Sequence, residues 1–268
     1  MRTNKILAMT TVVAMAIALS ATFAAAQVRG SKHDLTVATG AAQIKTAATT
    51  EVCVFCHTPH GANINVTAPL WNKAQGAGAY QRYSSLGSAT LDGQEVVVGS
   101  VSLACLSCHD GTQAMDVVLN APGSGGYNAA GAPIDGGPFT MTGTPIPNLG
   151  TDLRNDHPVS IAYAGGACEG VFADCDPSLG GGDPDFNIAQ WANINTQNSW
   201  WVDTSVGTPN QRDKTDMILY TRTEFTSDGP SVECGSCHDP HKPAVAPAVS
   251  FMRIQNSSSD VCLACHIK

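Results

Sequence analysis

The chain has 268 residues, 14 basic against 22 acidic side chains and a net charge of −8. With no basic patch to neutralise phosphates, nucleic acid is excluded as a partner, and the acidic balance suits solubility or docking to basic surfaces and cationic partners. Ten cysteines then remain to be explained.

Residues 1–26 read as a secretory signal peptide. Arg2 and Lys5 open it, an apolar run follows from Ile6 to Leu19, and Ala24-Ala25-Ala26 offers a cleavage site before Gln27. A permanent anchor is the rival reading, but Ser and Thr interrupt the run, and no second run reaches the roughly 18 apolar residues a spanning helix needs. The expectation is an exported chain of residues 27–268, found outside the cell or at its surface, with the periplasm as alternative. Loss of Arg2 and Lys5 leaves 12 basic and 22 acidic side chains.

Residues 27–50 are small and polar and include His33. Cys53-Val54-Phe55-Cys56-His57-Thr58-Pro59-His60 follows. Glu95 to Val101, rich in valine, predicts a short strand. Cys105-Leu106-Ser107-Cys108-His109 comes next, closed by the turn signal Asp110-Gly111. Residues 121–150 are crowded with Gly, Pro, Asn and Thr, which predicts a linker without helix or long strand. Past it stand Asp156-His157-Pro158-Val159-Ser160 and the pair Cys168 and Cys175. An exported protein would close that pair as a disulfide; two free thiols are the alternative. Asp174, Asp176, Asp183 and Asp185 surround a glycine run, which reads as a solvated acidic turn rather than a calcium loop. Trp191, Trp200 and Trp201 imply packing against a cofactor or a core cluster, and Asp216 to Thr221 predicts a strand. Cys234-Gly235-Ser236-Cys237-His238-Asp239-Pro240-His241 and Cys262-Leu263-Ala264-Cys265-His266 end the chain.

CxxCH is the attachment signature of c-type haem: two thiols form thioethers and the histidine binds the iron. Zinc also uses CxxC pairs, but zinc does not require histidine after every pair. Four copies therefore predict four c-type haems, with Cys53, Cys56, Cys105, Cys108, Cys234, Cys237, Cys262 and Cys265 as attachment points and His57, His109, His238 and His266 as proximal ligands. Cys53–His60 matches Cys234–His241, Cys105–His109 matches Cys262–His266, and His33-x-Leu35-Thr36 resembles His157-x-Val159-Ser160. The chain thus reads as two dihaem modules, 27–120 and 151–268, around the 121–150 linker.

The four remaining histidines, His33, His60, His157 and His241, occupy repeated positions and supply the sixth ligands. Methionine is the rival, but Met115, Met141, Met217 and Met252 stand at no repeated position. Bis-histidine ligation predicts low reduction potentials and leaves no open iron, so the expectation is electron transfer without an enzymatic reaction. His60 cannot reach the far face of its own iron, because two intervening residues span at most roughly 10 Å. That points His60 to the second haem and His241 to the fourth, leaving His33 and His157 for the first and third.

The combination of CxxCHTPH, CLSCHDG, NDHPVS and CGSCHDPH resembles the exported multihaem cytochromes of metal-reducing bacteria, and is most similar to OmcE-type tetrahaem outer-surface cytochromes. The resemblance implies bis-histidine ligation throughout, haems stacked in pairs, and head-to-tail filaments in which one distal histidine crosses to the next subunit. By position His33 is the candidate for that link. A monomeric periplasmic shuttle and a multihaem reductase with one open haem are the alternatives; other redox proteins or extracellular acceptors are the expected partners. The expected fold is mostly irregular coil wrapped around four haems, with short helices at the CxxCH motifs and a few short strands.

Overall fold

A computed structural model describes residues 28–38, 42, 44–75, 78–91, 93–123, 125–136, 139–141, 147–166, 182–204, 206–225, 230–242 and 251–267. The signal peptide, Cys168 with Cys175, and Asp174 with Asp176 lie outside the described residues. Helix is scarce, as expected: α1 (Ser100–His109), α2 (Cys234–Cys237) and α3 (Asp260–Leu263), with 3-10 turns at Tyr83–Leu86 and Tyr163–Gly166. Each of these α-helices carries a CxxCH motif or its beginning.

Strand is more organised than the sequence implied. β1 (Val117–Asn120) pairs antiparallel with β2 (Tyr127–Pro133). β3 (Ile161–Ala162), β4 (Gln190–Ile194), β5 (Gln197–Val202), β6 (Met217–Thr221) and β7 (Pro230–Val232) form one sheet in the order β3-β7-β6-β5-β4. β6 matches the strand expected at 216–221. β4 and β5 join through Asn195 and Thr196, both at positive φ (52° and 65°), the two-residue geometry whose twist suits a tight hairpin.

Two expectations are corrected. Residues 121–150 do contain a seven-residue strand, β2. Its composition is turn-like, but β1 supplies a partner with buried Val118 and Leu119, and Gly126 and Gly131 take up positive φ of 90° and 75°. Conversely, 95–101 forms no strand. Glu95 makes one bridge to Ile161, and α1 begins at Ser100. Val96 and Val98 are buried in separate clusters, so the valines pack individually.

The main protein core lies in the second half. Trp200, Met217 and Val202 are almost fully buried with Tyr163, Ala189 and Leu219, and Trp191 leans on Trp200 at 6.0 Å. The tryptophans are thus sheet core, as is Met217. No helix among the described residues is long and apolar enough to cross a membrane.

Candidate haem-attachment sites

The first, third and fourth motifs fold alike. The histidine amide donates back to the first cysteine in each: His57 to Cys53 O (2.8 Å), His238 to Cys234 O (3.1 Å), His266 to Cys262 O (2.9 Å). This single turn puts both thiols and the imidazole on one short stretch of backbone. A second segment then braces it antiparallel: His57 bridges Trp71, His238 bridges Met252 and His266 bridges Phe186. Asn72, Arg253 and Asn187 donate their amides to the carbonyls of Cys56, Cys237 and Cys265 at 2.9, 2.9 and 2.8 Å. Leu70 and Phe251 accept from Thr58 and Asp239, each at 2.8 Å, and both sit at positive φ, 55° and 65°. The first and third motifs therefore share a brace whose two sequences, Leu70-Trp71-Asn72 and Phe251-Met252-Arg253, have no evident likeness. The second motif differs, ending the longer helix α1.

The cysteines follow one another in chain order. Burial, then neighbouring Cys108, pushes the Cys56 thiol up to about 12. Cys105 is raised chiefly by a hydrogen bond shared with Cys234, then by burial, and the same bond pulls Cys234 down. Burial, then Cys234, takes Cys237 up to about 11, with Cys262 also near. Burial and Cys237 take Cys265 up to about 12. Motif one thus meets two, two meets three, and three meets four.

A buried ionic cluster ties motifs two and three. Glu233 Oε1 accepts from Arg222 Nη1 (2.8 Å) and Ser231 Oγ (3.1 Å), and Oε2 from Ser102 Oγ (2.5 Å) and Ser160 Oγ (3.1 Å). Ser102 of α1 in turn accepts from the Cys234 amide at 2.9 Å. Burial raises the Glu233 carboxyl despite these donors. Beneath motif one, fully buried Lys73 donates to the carbonyls of Met115 (2.7 Å) and Val117 (3.0 Å).

Proline carbonyls recur as imidazole partners. His57 Nδ1 donates to Pro69 O at 2.7 Å, His109 Nδ1 to Pro147 O at 2.7 Å, and His157 Nδ1 to Pro158 O at 2.9 Å. Pro240 O bonds the ring of His33, whose burial, reinforced by His109, takes it down to about 4. Asp239 Oδ1 lies 3.6 Å from His241 Nδ1. His33 stands 6.1 Å from His109, and His57 stands 6.0 Å from His241. The expected partnerships within each module, His33 with the first motif and His241 with the fourth, are not the ones brought together. The two halves fold onto each other instead, which the repeat alone cannot reveal. His60 is exposed, its carbonyl bonded by Asn120, and His157 is exposed. His266 packs on Phe186 at 4.5 Å, and His238 lies near His109 and Arg253.

Residues 229–268 match a family described as the doubled CXXCH motif. The match spans the third and fourth CxxCH copies and indicates covalently bound c-type haem there. No curated protein matches it.

The residues of the chain fit covalently bound haem. Each motif offers two thiols and an imidazole on one turn, and the anchored Nδ1 atoms of His57 and His109 leave Nε2 for iron, the usual arrangement of metal-bound histidine. His33, held neutral by burial, meets the requirement that a ligating imidazole be deprotonated. Among the described residues no cluster of His, Cys, Asp and Glu forms a separate metal site. Sequence reasoning missed Phe251, which stacks on His33 at 4.0 Å and 9°, and the Arg222–Glu233 cluster. Positive φ and long-range packing leave no periodic signature.

Proposed function

We propose that this cytochrome holds four bis-histidine c-type haems in one row and passes single electrons along it, catalysing no reaction of its own. The supporting observation is the ordered succession of sulfurs from Cys56 to Cys108, Cys105 to Cys234, and Cys237 to Cys265. A c-type haem supplies a one-electron iron couple; the protein's part is to hold neighbours close, shield them with packed backbone, and keep the axial ligands fixed. Cys53 and Cys262, in the first and last motifs, are exposed, which suits contact with partners at both ends of the row.

The eight ligands are His57, His109, His238 and His266 with His33, His60, His157 and His241. The mass of the purified chain tests the haem count, with four added haems expected. Carbon monoxide tests the ligation: the reduced protein should leave it unbound. A high-spin ferric signal or carbon monoxide binding in the wild type would favour the reductase reading.

We further propose that copies assemble head to tail outside the cell into a conducting filament. The exposed first and last motifs support this, and a monomeric shuttle is the rival reading. With His33 beside His109 in its own chain, exposed His60 replaces it as our candidate for a ligand offered to a neighbouring copy. Negative-stain imaging of wild type and His60→Ala tests both points: filaments that persist in the variant with every haem low-spin would exclude His60 as the link.

A further inference from the structure

Two imidazole pairs, one of them joining the halves of the chain, have the spacing of two ligands on one metal ion. The rings of His57 and His241 are 6.0 Å apart and inclined at 17°; those of His33 and His109 are 6.1 Å apart and inclined at 64°. With histidine–metal bonds of about 2 Å and a ring centroid about 1 Å beyond the ligating nitrogen, two imidazoles on opposite sides of one ion stand roughly 6 Å apart. Rings in face contact stand closer, as His33 and Phe251 do at 4.0 Å. The planes of both ligands contain the axis through the metal, so the angle between them is free, and 17° and 64° are both compatible with it.

Each ring also has a partner of its own. Pro69 O and Pro147 O hold the Nδ1 atoms of His57 and His109, Asp239 lies beside Nδ1 of His241, and Pro240 O bonds His33. Such partners orient a ligating imidazole and fix its tautomer. Asp239-Pro240-His241 therefore serves both pairs: it carries one ring and steadies another through its proline carbonyl. Phe251 stacks on His33, and its carbonyl accepts from the Asp239 amide at 2.8 Å, so one local unit fixes both.

We propose that His57 and His241 are the axial pair of the haem at Cys53 and Cys56, and His109 and His33 that of the haem at Cys105 and Cys108. This rests on the motifs carrying haem. The ligation then crosses between the halves of the chain: the second half's bracket completes the first half's first haem. Neither of the first two haems is fully ligated until residues 239–241 and His33 have docked, so the haems staple the chain's beginning to its end.

The test uses the haem-loaded protein and visible and electron paramagnetic resonance spectra of the oxidised state. His241→Ala should turn one of the four haems high-spin and remove a low-spin signal of the near-parallel type. His33→Ala should turn a different haem high-spin and remove a strongly anisotropic signal, the type rotated ligands give. Adding His241→Ala to a protein lacking the first attachment site (Cys53→Ala/Cys56→Ala) should create no further high-spin iron, and likewise His33→Ala with Cys105→Ala/Cys108→Ala. A further high-spin haem in either combination would overturn the pairing. Should a variant fail to fold, nuclear magnetic resonance of the reduced wild type decides instead. Ring protons of His57 and His241 should be shifted by the same haem; His241 sharing a haem with His238 or His266 would overturn the proposal. Absence of haem mass on the purified chain would defeat the haem reading itself, a distinct outcome.

Discussion

Replacing Glu233 by alanine should destabilise the cytochrome severely while leaving its haems attached. The Glu233 side chain is fully buried and that of Arg222 is 5% exposed. Removing the carboxylate leaves the Arg222 charge facing Glu224, whose side chain is 50% exposed, with Ser160 Oγ and Val97 O as its neutral partners. It also strips the hydroxyls of Ser102 and Ser160 of their acceptor, while Ser231 keeps Tyr220 O at 2.8 Å. Removing one partner of a buried ion pair costs about 3–5 kcal/mol. In a chain of this size each kcal/mol is worth about 2–4 °C, so the midpoint of thermal unfolding should fall by about 6–20 °C. Far-ultraviolet circular dichroism reports the transition, and haem absorbance shows that covalent attachment survives. The cost arises from leaving the buried Arg222 charge with the half-exposed Glu224 carboxylate alone, more than from losing an attraction. Arg222→Met/Glu233→Met, which removes both charges and keeps volume, should therefore recover most of the loss. A Glu233→Ala protein within about 1 kcal/mol of wild type, or a double variant less stable than the single one, would refute the reasoning.

Lys73→Met should lower the reduction potential of the haem at Cys53 and Cys56, because a buried cation, whose charge is felt at the Cys56 thiol, disfavours ferric iron in a low dielectric; spectroelectrochemical titration checks the direction. It should also cost about 1–3 kcal/mol by leaving the Met115 and Val117 carbonyls unpaired. Phe251→Ala removes the ring stacked on His33; a loss of about 3–5 kcal/mol by urea unfolding is expected, with a high-spin fraction that grows on warming. Tyr163 donates to Asn187 O at 2.6 Å, and burial, then Cys265, raises its phenol above the ordinary value. Its contribution is therefore complete below about pH 10 and lost as the pH climbs past its raised folded value. Tyr163→Phe should cost about 1 kcal/mol at neutral pH yet unfold less readily in alkali than wild type.

The attachment chemistry was legible because it is local. Two thiols and an imidazole must share one turn of backbone, so CxxCH appears in the sequence wherever that chemistry is needed, and short helical turns at Cys53–His57 and Cys234–His238 follow from it. The repeat of CxxCHxPH was legible for the same reason, as was β6. The braces were not: Leu70 and Phe251 perform one backbone task with unrelated side chains, since a carbonyl and a positive φ are what the task requires. Nor was the Arg222–Glu233 cluster, whose serines lie at positions 102, 160 and 231. The sequence by itself determined which side chains can hold haem. Which histidine faces which depended on the tertiary fold, because the rings of His57 and His241, from the two halves, and those of His33 and His109, within the first, meet only through contacts distant along the chain.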